Sequence, residues 1–233
     1  GIGAAIARHL AADFDLILTG RHADTLQAVA GPLGARVVVM DMADRASIAA
    51  GIEAIGPVDV LINNAGIAIG APIHRTDDAT WDRLMQINVH GPYALCRAFL
   101  PTMAKRGWGR VVNIASLAGL TGQAYTSAYC ASKHALVGMT RALALEVATR
   151  GVTVNAVCPG WVETDMSLEA VQRIAASTKH SEEDARRQLE KASPQGRMVT
   201  ADEVAALVAM LCSEGAGAIH GQAIPVDGGT VMK

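Results

Sequence analysis

Short runs of β-branched and aliphatic residues alternate along the chain with longer stretches in which apolar positions recur at helical spacing. The short runs at 16–19, 36–40, 58–63, 110–114, 152–157 and 223–226 read as strands. Most are apolar throughout rather than alternating, the pattern of parallel strands covered on both faces. Helical periodicity predicts helices over 4–12, 45–55, 81–105, 132–149 and 202–211. Alternation of strand and helix implies right-handed crossovers. The fold class expected is therefore α/β: a doubly wound parallel sheet, Rossmann-like, in three α/β/α layers. Neither a linker nor a repeat interrupts the pattern, so residues 1–233 read as a single domain. One stretch, 163–199, is polar, helical in pattern and strandless. A long insertion after a late strand of such a sheet covers the ligand crevice, so this stretch is expected to be a substrate lid.

Composition narrows the class of partner. The 233 residues are 51% hydrophobic, 3% aromatic and 18% charged, so small aliphatic side chains build the core and disorder is excluded. A formal net charge of −2 leaves no basic excess for a phosphate backbone. Nucleic acid is not expected, and a small molecule is. Cys96, Cys130, Cys158 and Cys212 lie far apart with no metal-ligand spacing. Neither a disulfide framework nor a metal site is expected, and a reducing compartment fits. No apolar run reaches the ~18–20 residues that span a bilayer, and the start lacks the charged region of a signal peptide. Cytoplasm is the expected location.

The chain opens on Gly1-Ile2-Gly3 followed by Ala4 to Ala7, which reads as the end of a glycine-rich turn entering a helix. A flexible start to an ordinary amphipathic helix is the competing reading. Such a turn normally follows a strand, and in a doubly wound sheet that strand is central. The sheet is therefore expected to show a gap beside 16–19 and 58–63, and about ten further residues are expected upstream.

Tyr129-Cys130-Ala131-Ser132-Lys133 carries the strongest chemical signal. In a helix, Tyr129 and Lys133 at i and i+4 share a face. An ammonium there favours phenolate and draws the phenol down from about 10, so that it can exchange a proton with a carbonyl or alcohol oxygen. A surface tyrosine beside a solvated lysine is the bland alternative, and context decides between them. Ser116 ends the strand reading Asn113-Ile114-Ala115, where side chains point into the crevice. Asn63-Asn64-Ala65-Gly66 ends another strand in the same way, and Asn88 sits against its propensity in the middle of a helical pattern. His134 and Cys130 read as structural, because His134 faces elsewhere and nothing near Cys130 would activate a thiol.

These motifs, in this order, resemble the short-chain dehydrogenase/reductase family. Gly1 and Gly3 match the last glycines of its Thr-Gly-x-x-x-Gly-x-Gly turn, and Asn63-Asn64-Ala65-Gly66 its sheet-stabilising motif. Asn88, Ser116, Tyr129 and Lys133 match its catalytic tetrad, and Pro159-Gly160 with Thr164 the motif that grips nicotinamide. The similarity runs to Asp227-Gly228-Gly229, and the departure is the absent Thr-Gly and its strand. The resemblance implies Tyr129 as acid/base and Ser116 as the group that polarises the substrate oxygen. It makes Lys133 the residue that tunes the phenol and holds the ribose, and Asn88 the one that positions a relay water. Hydride would pass directly between cofactor and substrate without a metal. Cofactor contacts implied are Gly1, Ile2, Gly3, Arg21, Asp41, Met42, Asn64, Ala65, Gly66, Tyr129, Lys133, Pro159, Gly160, Val162 and Thr164. Where NAD-dependent relatives place a carboxylate, this chain has Gly20 followed by Arg21. A guanidinium can fork onto a 2′-phosphate, so NADP is expected, with NAD the alternative if Arg21 only stacks on adenine.

The function expected is NAD(P)-dependent interconversion of a ketone and a secondary alcohol, foremost 3-oxoacyl thioester reduction or 3-hydroxyacyl oxidation. Another aliphatic or alicyclic secondary alcohol is the alternative substrate. A non-catalytic nucleotide-binding scaffold is the alternative class, and the intact tetrad speaks against it. An epimerase or dehydratase would need a larger C-terminal domain than the residues after Pro159 supply. In the lid, Trp161, Met166, Leu168 and Met198 are expected near the crevice. Arg173, Lys179, Arg186 and Arg187 are expected to meet a thioester's phosphates or, against that, to form a solvated face balanced by Glu182, Glu183, Asp184 and Glu190. Ala94, Leu95, Ala98 and Phe99, with Leu136, Met139, Leu143 and Val147, are expected to form a second apolar face that assembles a homotetramer.

Overall fold

The computed structural model describes residues 1–178 and 181–232. Helix α1 (Ile2–Leu10) leads to β1 (Ile17–Gly20), α2 (Ala23–Ala30), β2 (Arg36–Val39), α3 (Arg45–Ile55) and β3 (Val60–Asn63). Then come α4 (Asp78–Met85), α5 (Gly91–Arg106), β4 (Gly109–Ile114), α6 (Ser127–Val147) and β5 (Val152–Pro159). The lid helices α7 (Asp165–Ser177) and α8 (Glu182–Lys191), then α9 (Ala201–Cys212) and β6 (Ala223–Val226), complete the chain. All strand pairings are parallel. One apolar cluster joins α3, α5 and α6 to one face of the sheet, and a second joins α1 and α9 to the other. That double cover is why β4 and β5 are buried at every position.

The sheet is split where the sequence led us to expect it. Strands β1 and β2 form one pair, and β3-β4-β5-β6 form a separate four-stranded block. Between them runs a cleft of about 1070 Å³ lined by residues including Leu16, Leu18, Val60, Ile62 and Asn63. Asn63 Oδ1 is the single buried side-chain acceptor without a partner among the described residues.

Local signals explain most boundaries. Asp44 caps α3 by accepting from Ala46 N–H at 2.8 Å. Thr200 and Glu203 form a reciprocal capping box on α9. Helix α2 escaped the periodicity because Ala30 alone of its residues is buried. The single helix expected over 81–105 is instead α4, a π-helical turn at Gln86–His90, and α5. The lid helices carry a small core of their own, Val171, Ala185, Leu189 and Met198, so Met198 faces that core rather than the crevice.

The second apolar face is corrected as well. Ala94, Leu95, Phe99 and Val147 lie in the subunit's own core, with Ala98, Met139 and Leu143 packed against it, and Leu136 lies in a third cluster. Both helices sit in one layer and must cover the sheet and each other, which uses their wide apolar surface. The large apolar side chains that α5 and α6 leave exposed are Tyr93 and Leu145, and α4 leaves Trp81 exposed.

Candidate active site

The ends of β3 and β4, helix α6 and the π turn converge on one cluster. Along α6, Tyr129 and Lys133 share a face as expected, with Lys133 Nζ 5.8 Å from the Tyr129 ring centroid. Lys133 is buried and donates from Nζ to the Ile114 carbonyl at 2.9 Å. Burial disfavours its charge and pulls it down from 10.5 to about 8. For Tyr129, burial raises the phenol above its ordinary value, while a hydrogen bond with the Ser116 side chain pulls the other way. The downward pull expected from Lys133 is not found in this structure, where the lysine's hydrogen bond goes to a carbonyl. Ser116 stands two residues past the end of β4, accepts from Ala118 N–H at 3.1 Å and opens a short 3-10 turn.

Asn88 occupies the π turn and is 0% exposed. Its Oδ1 accepts from Ile67 N–H at 2.9 Å, and its Nδ2 donates to Ile67 O at 2.9 Å and to Ser132 Oγ at 3.0 Å. Ser132 Oγ in turn donates to Tyr129 O at 2.7 Å. Asn88 thus fastens the loop after β3 to the helix that carries the tyrosine and lysine. A π turn in an otherwise α-helical run is a common mark of a functional site. Sequence reading missed Ser132, although a serine one residue before Lys133, in line with buried Ala128 and Leu136, was a signal available to it.

The residues expected around a dinucleotide come together above the same strand ends. Gly1 caps α1 without a side-chain partner, and the first turn carries no acidic residue, leaving its N–H groups open to an anion. A Cβ on Gly3 would fall 2.6 Å from Asn64 Nδ2, and one on Gly1 would sit 3.9 Å from Thr164 Cγ2. A Cβ on Gly66 would lie 3.3 Å from Asn88 Oδ1 and 3.4 Å from Lys133 Nζ. These bare positions form a cradle that side chains would fill, so the site fits a dinucleotide. Gly160 comes so close to Asp227 that a Cβ would lie 3.1 Å from its Cα. Val162 is buried and bridges to Val199, closing the base of the lid. Thr164 caps α7.

On the far side, Arg21 is exposed and makes neither an ion pair nor a hydrogen bond among the described residues. Asp41 accepts from Ala43 N–H at 2.9 Å, and buried Met42 accepts from Gln86 Nε2 through its carbonyl at 3.1 Å. Ala65 is exposed. His134 lies on the outer face of α6 with Nδ1 at 2.9 Å from Cys130 O. All four cysteines are free and buried, and burial pushes the Cys96 and Cys158 thiols up to about 11 and Cys212 to about 12, which leaves them inert. No group of metal-ligating side chains occurs among the described residues, and no helix there is long and apolar enough to cross a membrane.

A family profile described as enoyl-(acyl carrier protein) reductase matches residues 1–231. The chain belongs to the short-chain dehydrogenase/reductase family. Its relatives include D-beta-hydroxybutyrate dehydrogenase of Cupriavidus necator, 39% identical over 100% of this chain and 95% of the relative. The 3-oxoacyl-(acyl-carrier-protein) reductase FabG of Escherichia coli is 36% identical over 100% of this chain and 93% of the relative. Among solved structures, a variant of actinorhodin polyketide ketoreductase crystallised with NADPH superposes with a TM-score of 0.93 at 38% identity. That match covers 99% of this chain and 93% of the other. This short-chain dehydrogenase is an NAD(P)-dependent oxidoreductase that interconverts a ketone and a secondary alcohol.

Proposed function

We propose that the enzyme reduces 3-oxoacyl compounds to 3-hydroxyacyl compounds, with Asn88, Ser116, Tyr129 and Lys133 as its working residues. The observation that carries the reading is the cluster in which Asn88 and Ser132 fix Tyr129 and Lys133 beneath the bare Gly66. NADP is the preferred cofactor. Support comes from unpaired Arg21 beside Gly20, where no carboxylate would repel a 2′-phosphate. Gly1 to Gly3, Asn64 to Gly66, and Pro159 to Thr164 would hold its phosphates and nicotinamide, Asp41 and Met42 its adenine end. When bound, the nicotinamide supplies the hydride.

The chain's own part is the proton. Ser116 Oγ and the Tyr129 phenol bind the carbonyl oxygen, and Tyr129 Oη gives its proton to the oxygen as negative charge develops there. A phenol held above its ordinary value stays protonated at neutral pH, which suits reduction. Lys133, down at about 8, is poised near neutrality to hand on the replacement proton. Asn88 keeps the Ile67 backbone in place beside that path as a positioning residue. Residues 1–233 belong to a single domain, with 163–199 as its substrate lid.

Trp81, Tyr93 and Leu145 on the outer helices support assembly into a homotetramer, and four free cysteines support a reducing, cytoplasmic setting. The decisive experiment is Tyr129→Phe, which removes the hydroxyl and keeps the ring. Turnover of a 3-oxoacyl substrate should fall at least ~10²-fold with cofactor binding retained. Near-normal turnover in a folded variant refutes the mechanism.

A further inference from the structure

The basic residues of the lid are not equivalent. Arg186 is held by Glu163 and Glu190, and Arg187 by Glu183 and Asp184. These form the balanced, solvated face that the composition of α8 suggests. Lys179 lies outside the described residues. Arg173 on α7 differs, being exposed and making no ion pair or hydrogen bond among the described residues. Glu169, one turn earlier on the same helix, forms no ion pair with it.

The Arg173 guanidinium reaches from the lid to the opposite wall of the crevice. Its Nη1 lies 3.6 Å from where a Cβ would stand on Gly70, a point also 3.4 Å from Tyr125 O and 3.5 Å from Thr126 Cγ2. The loop after β3, the loop entering α6 and the lid helix therefore meet at one place. The two loops are tied there by the Ala71 N–H, which donates to Tyr125 O at 2.7 Å. Thr126 Oγ1 donates to Gln123 O at 2.9 Å and stiffens the second loop. Tyr125 is the only non-glycine residue with positive φ among the described residues, at 65°, and it is 71% exposed. A bulky residue held in the left-handed region, with its ring outside the core, suggests a local constraint tied to function. From Thr126, α6 climbs only about 4.5 Å along its axis to Tyr129. The backbone that Arg173 approaches, at Tyr125 and Thr126, thus lies about one helical turn before Tyr129 along the chain of α6.

We propose that Arg173, backed by Tyr125, is a specificity-determining residue that binds an anionic group carried by the substrate at the mouth of the crevice. A guanidinium fork matches a carboxylate or a phosphate and gains little from a neutral substituent. The anion is the carboxylate of a free 3-oxo acid or a phosphate on the arm of its thioester. The proposal rests on the reading of Tyr129 and Ser116 as the carbonyl site, since it places the charge relative to that site.

The test measures kcat and KM separately for methyl 3-oxobutanoate, 3-oxobutanoate and 3-oxobutanoyl-CoA, in the parent enzyme and in Arg173→Gln and Arg173→Lys. Arg173→Gln should raise KM for an anionic substrate by about ten- to a hundredfold. It should leave kcat and KM for the neutral ester near the parent's. Arg173→Lys should recover part of the loss, because charge returns without the fork. Loss confined to the free acid identifies a carboxylate, and loss confined to the thioester identifies a phosphate. Unchanged KM for both anions, or an equal rise with the ester, overturns the proposal while leaving the carbonyl-reduction reading intact. If the parent reduces none of the three, that reading fails and this inference fails with it.

Discussion

The two halves of the split sheet are built to different standards. In the four-stranded half, β4 and β5 are buried at every position and lie between two apolar layers. Interior polar groups of β4 and β5 are paired: Asn113 Nδ2 donates to Thr140 Oγ1 at 2.8 Å, and Asn155 Nδ2 to Ile219 O at 2.7 Å. In the two-stranded half, β1 and β2 have no fully buried position, and Val39 is largely exposed. A ribbon of two short strands has little stability of its own. At the boundary, the one orphaned acceptor among the described residues, Asn63 Oδ1, belongs to a residue lining the cleft. Ser116, Tyr129, Lys133 and Asn88 all hang on the packed half, whereas Arg21 and Asp41 sit on the looser one. Proton transfer and recognition of the distal end of the cofactor should therefore be separable by mutation.

Asn88→Ala should produce the largest effect and test the packed half directly. It strips partners from both Ile67 backbone groups and from Ser132, costing about 3 kcal/mol of stability and at least ~10²-fold in kcat. Denaturant unfolding and steady-state kinetics read the two losses. If cofactor KM alone changes, the separation proposed here is wrong.

Lys133→Met should split stability from activity. The folded value of about 8 lies below the ordinary 10.5, so folding disfavours the charged form. Below pH 8 the lysine is charged in both folded and unfolded chains, and the whole penalty, about 3 kcal/mol, is present. Between pH 8 and 10.5 the folded chain sheds its proton first, and stability rises with pH. The variant removes that penalty and loses one hydrogen bond to Ile114 O, worth about 1 kcal/mol. It should be inactive yet about 2 kcal/mol more stable than the parent at pH 7, with the advantage shrinking above pH 8. Unfolding curves at several pH values decide, and a destabilised variant at pH 7 shows that the ammonium is well solvated.

On the looser half, Arg21→Ala should change the NADP to NAD preference by roughly 10- to 150-fold, the worth of a charge-assisted contact. The maximal rate should barely move. Gly20→Asp should shift preference the same way, although its Cβ would come within 3.2 Å of Leu26 Cδ2 and force that side chain to yield. An unchanged kcat/KM ratio in Arg21→Ala would mean that Arg21 only packs on the adenine. The smallest effect expected is that of Asp44→Ala, which uncaps α3 and should cost about 1 kcal/mol in thermal or chemical unfolding with no change in kcat. A measurable fall in kcat would show that the looser half does reach the catalytic cluster.

The α/β alternation and the parallel sheet were legible because each is written in local sequence. Apolar runs mark strands buried on both faces. The cluster was legible residue by residue, as Tyr129 and Lys133 at helical spacing and Ser116 at a strand end. Less legible was whatever depends on competition between partners. Propensity marks Asn88 as out of place in a helix, but only packing reveals the π turn that lets its amide reach Ile67 and Ser132 together.

The direction of the Tyr129 shift was likewise decided by the fold. Spacing brings an ammonium to the same face, but burial raises the phenol with only the Ser116 hydrogen bond pulling it down, while Lys133 gives its own hydrogen bond to Ile114 O. The apolar width of α5 and α6 was visible in the sequence, yet the fold assigned it to the subunit's own core. The same holds for the lid, whose composition lists its arginines without ranking them. Only the folded chain pairs Arg186 and Arg187 with carboxylates and sends Arg173 across the crevice. Order and residue type along the chain determine elements and chemistry, because those interactions are local. Charge state, pairing and exposure belong to the tertiary structure, because they depend on which distant groups arrive first at a shared buried site.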